Sequence, residues 1–162
     1  MYSTLKDHDY LLVYEHGYKQ VSLFGTTLLH PSKELVRGDI VVFHPPLEDK
    51  RPPSLFSWFR GQQSFVKRVI GLPGESVAIV GGRVVVYSGD HPAGEVLPEP
   101  YIAPGSEMVD MPKVTLTDDQ YFMMGDNRMF SYDSRQFGPV NRESVVGKAL
   151  IRAWPLSAAG IL

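Results

Sequence analysis

A chain of 162 residues is long enough to bury one core, and a formal net charge of −2 excludes the basic footprint of a nucleic-acid binder. The absence of cysteine removes disulfides, thiol catalysis and cysteine-ligated zinc. The five histidines (His8, His16, His30, His44 and His91) show no ligand spacing such as HExxH, so no metal site is expected.

In chain order, the pattern predicts short β-strands separated by turn chemistry, with little helix. The polar start from Met1 to Asp7 is not a signal peptide, and no stretch approaches the roughly 20 apolar residues of a membrane span. Tyr10 to Tyr14 is an apolar run after a polar turn. Asp39 to Phe43 follows Arg37-Gly38 and stops at Pro45-Pro46, which cannot continue a ladder. Phe65 to Ile70 ends at Gly71-Leu72-Pro73-Gly74. Ser76 to Val80 and Arg83 to Tyr87 flank Gly81-Gly82, a pair suited to the positive φ angles of a tight hairpin. Tyr121 to Met124 and Ser144 to Trp154 complete the set.

Two stretches interrupt this rhythm. Residues 45–63 form an aromatic-rich loop with two readings. It folds back over the core, or Leu55, Phe56, Trp58 and Phe59 make an exposed wedge for a membrane surface, with Arg51 or Arg60 at lipid headgroups. Residues 88–111, rich in Pro, Gly and acid, read as an inserted excursion or small cap on a single domain spanning residues 1–162.

Two places carry candidate chemistry. On an extended strand Phe65, Lys67 and Val69 share one face, and Val66, Arg68 and Ile70 share the other. If the first face is inward, desolvation lowers the Lys67 pKa and makes a neutral amine available as a base. If the second is inward, Lys67 is solvated and Arg68 is buried; alternation alone does not choose. The second place is Gly125 to Gly138, GDNRMFSYDSRQFG. Asp133 and Arg135 there can lock a turn that presents the Ser131 hydroxyl, either as plain structure or as a site.

The order of three segments resembles the type I signal peptidases of bacteria. They are Arg37-Gly38-Asp39-Ile40-Val41-Val42-Phe43, then Phe65 through Glu75, then Gly125 to Gly138. The resemblance implies a mainly β fold of antiparallel sheets or a partly closed barrel. It also implies a Ser/Lys-dyad endopeptidase that removes signal peptides from exported proteins without metal or cofactor. By this resemblance Lys67 is the general base and Ser131 orients it, while Gly125, Asp126, Asn127, Arg128, Asp133 and Arg135 support the site. The implied substrates end in small residues of the Ala-x-Ala kind and bind as an extended strand, with apolar side chains near Leu5, Tyr10 and Phe65 expected to line the pocket. The implied location is the cell membrane, with the catalytic domain on its extracytoplasmic side.

One departure bears on activity. The nucleophile of these peptidases opens a Ser-Met-x-Pro-Thr pattern, which Met1-Tyr2-Ser3-Thr4 matches from the Met onward with Ser3 in place of Pro. The resemblance thus puts the attacking serine immediately before Met1, and the membrane anchor upstream of that. The 162 residues alone are expected to be inactive. The alternative is a non-enzymatic β module that binds extended peptides or a protein partner.

Overall fold

Apolar runs cut by glycine and proline set the secondary structure. The computed structural model describes residues 4–5, 9–15, 21–23, 26–29, 34–46, 64–106, 108–155 and 159–161. Among them, in chain order, are β1 (Tyr10–Tyr14), β2 (Val21–Leu23), β3 (Thr26–Leu29), β4 (Ile40–Phe43), β5 (Phe65–Gly71), β6 (Ser76–Val80) and β7 (Arg83–Tyr87). They are followed by β8 (Glu95–Val96), β9 (Met111–Thr115), β10 (Gln120–Met124), the short helix α1 (Ser134–Phe137), β11 (Val140–Asn141), β12 (Val145–Trp154) and β13 (Gly160–Ile161). The wedge residues Leu55, Phe56, Trp58 and Phe59, with Arg51 and Arg60, lie outside the described residues.

β1, β6 and β7 coincide with the runs expected from the sequence, and β4, β5, β10 and β12 differ by one residue at one end. Unexpected strands have a reason for being invisible. β9 contains Pro112, which lacks an N–H, but β9 pairs only with β6 and is an edge strand, where proline is tolerated. β8, β11 and β13 are two residues long, too short to show alternation. The β6–β7 hairpin turns at Gly81 and Gly82 with φ of 57° and 72°, as the glycine pair required.

Among the described residues all pairings are antiparallel. One sheet runs β1-β12-β4-β5-β10-β11, with β13 also on β12; a second runs β8-β7-β6-β9; β2 and β3 form a separate pair. Of the two expected forms, antiparallel sheets or a partly closed barrel, the described residues show the sheets without closure. The larger sheet ends at β1 on one side and at the two-residue β11 on the other, and these edges do not meet. Closure is replaced by packing of one sheet on the other. Ile70, Phe122 and Met124 of the larger sheet share a core with Val77, Ile79, Val84 and Val86 of the smaller. The sheets approach so closely that a Cβ on Gly71 would lie 2.5 Å from Val77 Cγ2.

The opposite face of the larger sheet is covered too. Val41, Phe43, Val69, Tyr121, Met123, Val140 and Val145 form a second cluster there with Leu35. Leu5, Ile40 and Ala149 form a third, smaller one. A sheet buried on both faces explains why β10 reads as a continuous apolar run instead of alternating.

Candidate active site

The site begins with a mismatch of strand lengths. β4 pairs with β5 from Phe65 to Arg68, whereas β10 pairs with it only at Arg68, Val69 and Gly71. Phe65, Val66 and Lys67 therefore carry a strand edge that β10 does not cover. Beyond Met124 the chain leaves the sheet and turns through residues 125–133 beside this edge. Between edge and loop lies a cleft of about 490 Å³ lined by Ser64, Phe65, Val66, Lys67, Asn127, Phe130, Ser131 and Tyr132.

The two-sided sheet resolves the alternation of β5, because neither face is a solvent face. Lys67 stands on the side of Val41 and Val69, half-buried, with its Nζ 5.3 Å from the centre of the Phe65 ring. Arg68 points to the other side and is buried. Burial holds the Lys67 pKa below the ordinary lysine value; the Asp133 and Asp126 carboxylates oppose the fall and Arg135 adds to it.

The loop beside Lys67 is held by the chemistry that its sequence promised. Asp133 is fully buried and binds Arg135 through two hydrogen bonds, from Nε at 2.8 Å and Nη2 at 2.8 Å. It also accepts the Gly125 N–H at 3.0 Å, tying both ends of the loop together. Asp133 caps α1, and Gln136 returns its side-chain oxygen to the Asp133 N–H at 2.9 Å. Burial works to raise the Asp133 pKa, but the Arg135 and Gly125 hydrogen bonds and the Arg135 charge outweigh it and leave it lowered.

Ser131 is buried between these groups. Its hydroxyl lies near enough to the Asp133 carboxylate to favour the ionised form, yet no hydrogen bond of acceptable geometry forms, and Oγ is left without a partner. A buried hydroxyl in this state is uncommon and calls for an explanation. Gly125 shows how tightly it is placed. A Cβ there would lie 2.1 Å from Ser131 Oγ and 3.6 Å from Lys67 Cδ, so glycine is needed for space.

Asp126 and Arg128 face away from the cleft and anchor the loop. Asp126 receives Arg68 Nε at 2.9 Å and Nη2 at 2.7 Å, and also the Thr4 hydroxyl. Thr4, the last residue of the amino-terminal pattern, thus docks on the loop; the Arg152 guanidinium holds its carbonyl at 2.9 Å. Arg128 donates from Nε to the Gly125 carbonyl at 3.1 Å. Asn127 lines the cleft.

Of the expected liners, Phe65 faces the cleft. Leu5 is instead buried against Ile40 and Ala149, and Tyr10 stands exposed on β1. Sequence reasoning missed Phe130, which is 83% exposed at the cleft rim, and Tyr132, half exposed. Two aromatic residues inside an otherwise polar turn were the available signal. It also left Arg68 as an alternative to Lys67, where the fold uses both. A larger hollow, about 610 Å³, lies between the Gly81-Gly82 turn and Leu97, Ile102 and Met108, but contains none of these site residues. Size therefore does not mark the site.

With this geometry established, comparison with known proteins identifies the class. Residues 1–154 match the family of signal peptidases, peptidase S26, and the chain belongs to that family. It is 41% identical over 127 residues to signal peptidase I of Leptolyngbya laminosa, covering 78% of this chain and 56% of that protein. It is 36% identical over 162 residues to probable signal peptidase I-1 of Synechocystis sp., covering 100% of this chain and 70% of that protein. A crystal structure of signal peptidase I from Enterococcus faecalis V583 superposes with a TM-score of 0.52 at 29% identity, covering 72% of this chain and 97% of that one. The chain spans about half the length of the first curated relatives it matches. Among the described residues, no helix is long and apolar enough to cross a membrane.

Proposed function

We propose that residues 1–162 act as one catalytic domain of a signal peptidase that cuts signal peptides from exported proteins at junctions with small residues. The observation that carries this reading is the convergence of Lys67, with its depressed pKa, and the unpartnered Ser131 hydroxyl over Gly125 in one cleft. Lys67 is the general base. Ser131 orients its amine, and Asp133 and Arg135 hold Ser131 in place. Gly125, Asp126, Asn127 and Arg128 support the loop.

The attacking serine belongs at the position just before Met1. The contact of Thr4 with Asp126 supports this, because it brings the start of the chain against the site loop. Neutral Lys67 takes the serine proton as Oγ attacks the scissile carbonyl. The resulting ammonium returns that proton to the departing amine, leaving an acyl-enzyme. Water then attacks with Lys67 again as base, and the serine is released. The uncovered edge at Phe65 to Lys67 suits a substrate bound as an added strand, with its side chains alternating into the cleft. On this reading the domain is held at the outer face of a membrane by an upstream anchor, and residues 88–111 serve as a cap.

The test is cleavage of a peptide with an Ala-x-Ala junction by the chain extended upstream to include the serine. Activity that vanishes in Lys67→Ala supports the reading, and activity that survives it overturns the assignment of the base. The same uncovered edge also suits a β module that binds extended peptides without cutting them. That reading predicts saturable binding of signal-peptide ends and no cleavage by the extended chain.

A further inference from the structure

Two side chains of the segment after β8 reach across to the loop that follows β10. The Glu99 carboxylate takes both terminal nitrogens of Arg128, Nη1 to Oε2 at 3.0 Å and Nη2 to Oε1. The Arg128 side chain is completely buried and the Glu99 side chain nearly so. Beside them, the Tyr101 hydroxyl donates to Glu99 Oε1 at 3.1 Å, and the Tyr101 ring lies 4.0 Å from the Arg68 guanidinium. One turn of the excursion therefore meets both arginines that anchor the site loop.

We propose that Glu99 is a positioning residue: through Arg128 it fixes the Gly125 carbonyl and thereby the approach of Ser131 to Lys67. The physical basis is a chain of rigid contacts. A guanidinium is planar, and a two-point carboxylate contact sets its orientation as well as its place. With Nη1 and Nη2 committed to Glu99, Nε is aimed at the Gly125 carbonyl. Gly125 has no free space toward Ser131, so a displacement of its backbone is passed on to the hydroxyl. Glu99 itself neither lines the cleft nor touches Lys67. The charge is needed because a buried Arg128 without a carboxylate would be drawn toward water, taking its Nε contact with it.

This inference rests on the reading of Lys67 and Ser131 as site groups, but its test does not depend on cleavage. The probe is hydrogen exchange of the Gly125 amide, which donates to Asp133, compared with the Val77 amide in β6. Glu99→Gln keeps the shape and removes the charge; Glu99→Ala removes the contact. Both are expected to speed Gly125 exchange about tenfold or more, since both weaken or remove the two-point contact on Arg128, while Val77 exchange stays as in the parent chain. Unchanged Gly125 exchange in both variants would overturn the proposal. So would an equal acceleration at Val77, which would make Glu99 a general stabiliser. In the extended chain both variants are expected to lower kcat about tenfold with KM unchanged; faster Gly125 exchange with kcat at the parent value would make the contact merely structural and overturn the proposal. If the extended parent chain fails to cleave, the peptidase reading falls, while the exchange result is read by itself.

Discussion

Ser131 fills the space that a side chain at position 125 would need: a Cβ on Gly125 would come within 2.1 Å of Ser131 Oγ. The two residues are six positions apart, and they are forced together because Asp133 accepts the Gly125 N–H and closes the loop. The glycine is therefore the counterpart of the serine. Gly125→Ala is expected to cut cleavage by the extended enzyme by about a hundredfold, since a displacement near 1 Å suffices for that. The added Ser131→Gly should restore stability to Gly125→Ala without restoring activity. Urea denaturation and peptide-cleavage rates on the single and double variants check both halves.

Ser131→Ala should separate function from stability. Its hydroxyl makes no hydrogen bond of acceptable geometry, so its removal is expected to change the urea midpoint little. On the proposed reading, in which Ser131 orients the Lys67 amine, cleavage should fall. A variant that loses stability while keeping full activity would contradict the proposed role.

As the proposed base, Lys67 carries the expected pH dependence. Its folded pKa lies below the ordinary 10.5, chiefly through burial, so cleavage should rise with pH as the amine loses its proton. Removing Arg135 by Arg135→Ala takes away a positive neighbour and should move that rise to higher pH. In stability the sign is the same. Between the folded pKa and 10.5 the unfolded chain binds more protons at this residue, so its contribution to stability increases with pH across that window. A 13C titration of the Lys67 ε carbon, assigned with Lys67→Arg, measures the folded value directly.

Asp133 acts in the acid range with the same sign. Its folded pKa is below 3.8, so its contribution is fully present above that value and is lost as pH falls through the folded pKa. Asp133→Asn should flatten the acid side of the stability profile. It should also depress the Lys67 pKa further by removing a nearby negative charge. Urea midpoints between pH 2 and pH 6, an interval chosen to bracket ordinary carboxylate values, check the first effect.

The Arg68–Asp126 pair is structural in the strict sense that each member protects the other. Asp126→Ala leaves a buried guanidinium with one carboxylate removed and is expected to cost about 3–5 kcal/mol. Lys148, which is paired with Asp39 nearer the surface, should matter less, with Lys148→Ala costing about 1 kcal/mol. Equal losses in the two variants would argue against burial as the deciding factor.

The sequence by itself determined the elements whose causes are local. Gly81-Gly82 specified a hairpin because its backbone must take positive φ, and β1, β6 and β7 have the boundaries that their apolar runs indicate. Asp133 and Arg135, two residues apart, announced the lock on Gly125 to Gly138, and the order of three motifs announced the family. What depends on contacts between distant segments became visible in the fold alone. Alternation in β5 could not choose between Lys67 and Arg68 because it assumed one wet face, whereas the larger sheet is packed on both, by the second sheet on one side and by Leu35 and Phe137 on the other. Glu99 and Tyr101 gave no local sign of their part, since each meets an arginine that is remote in the chain. Closure into a barrel was likewise a matter of which edges meet, and strand patterns, which record faces and not edges, carry no information about that.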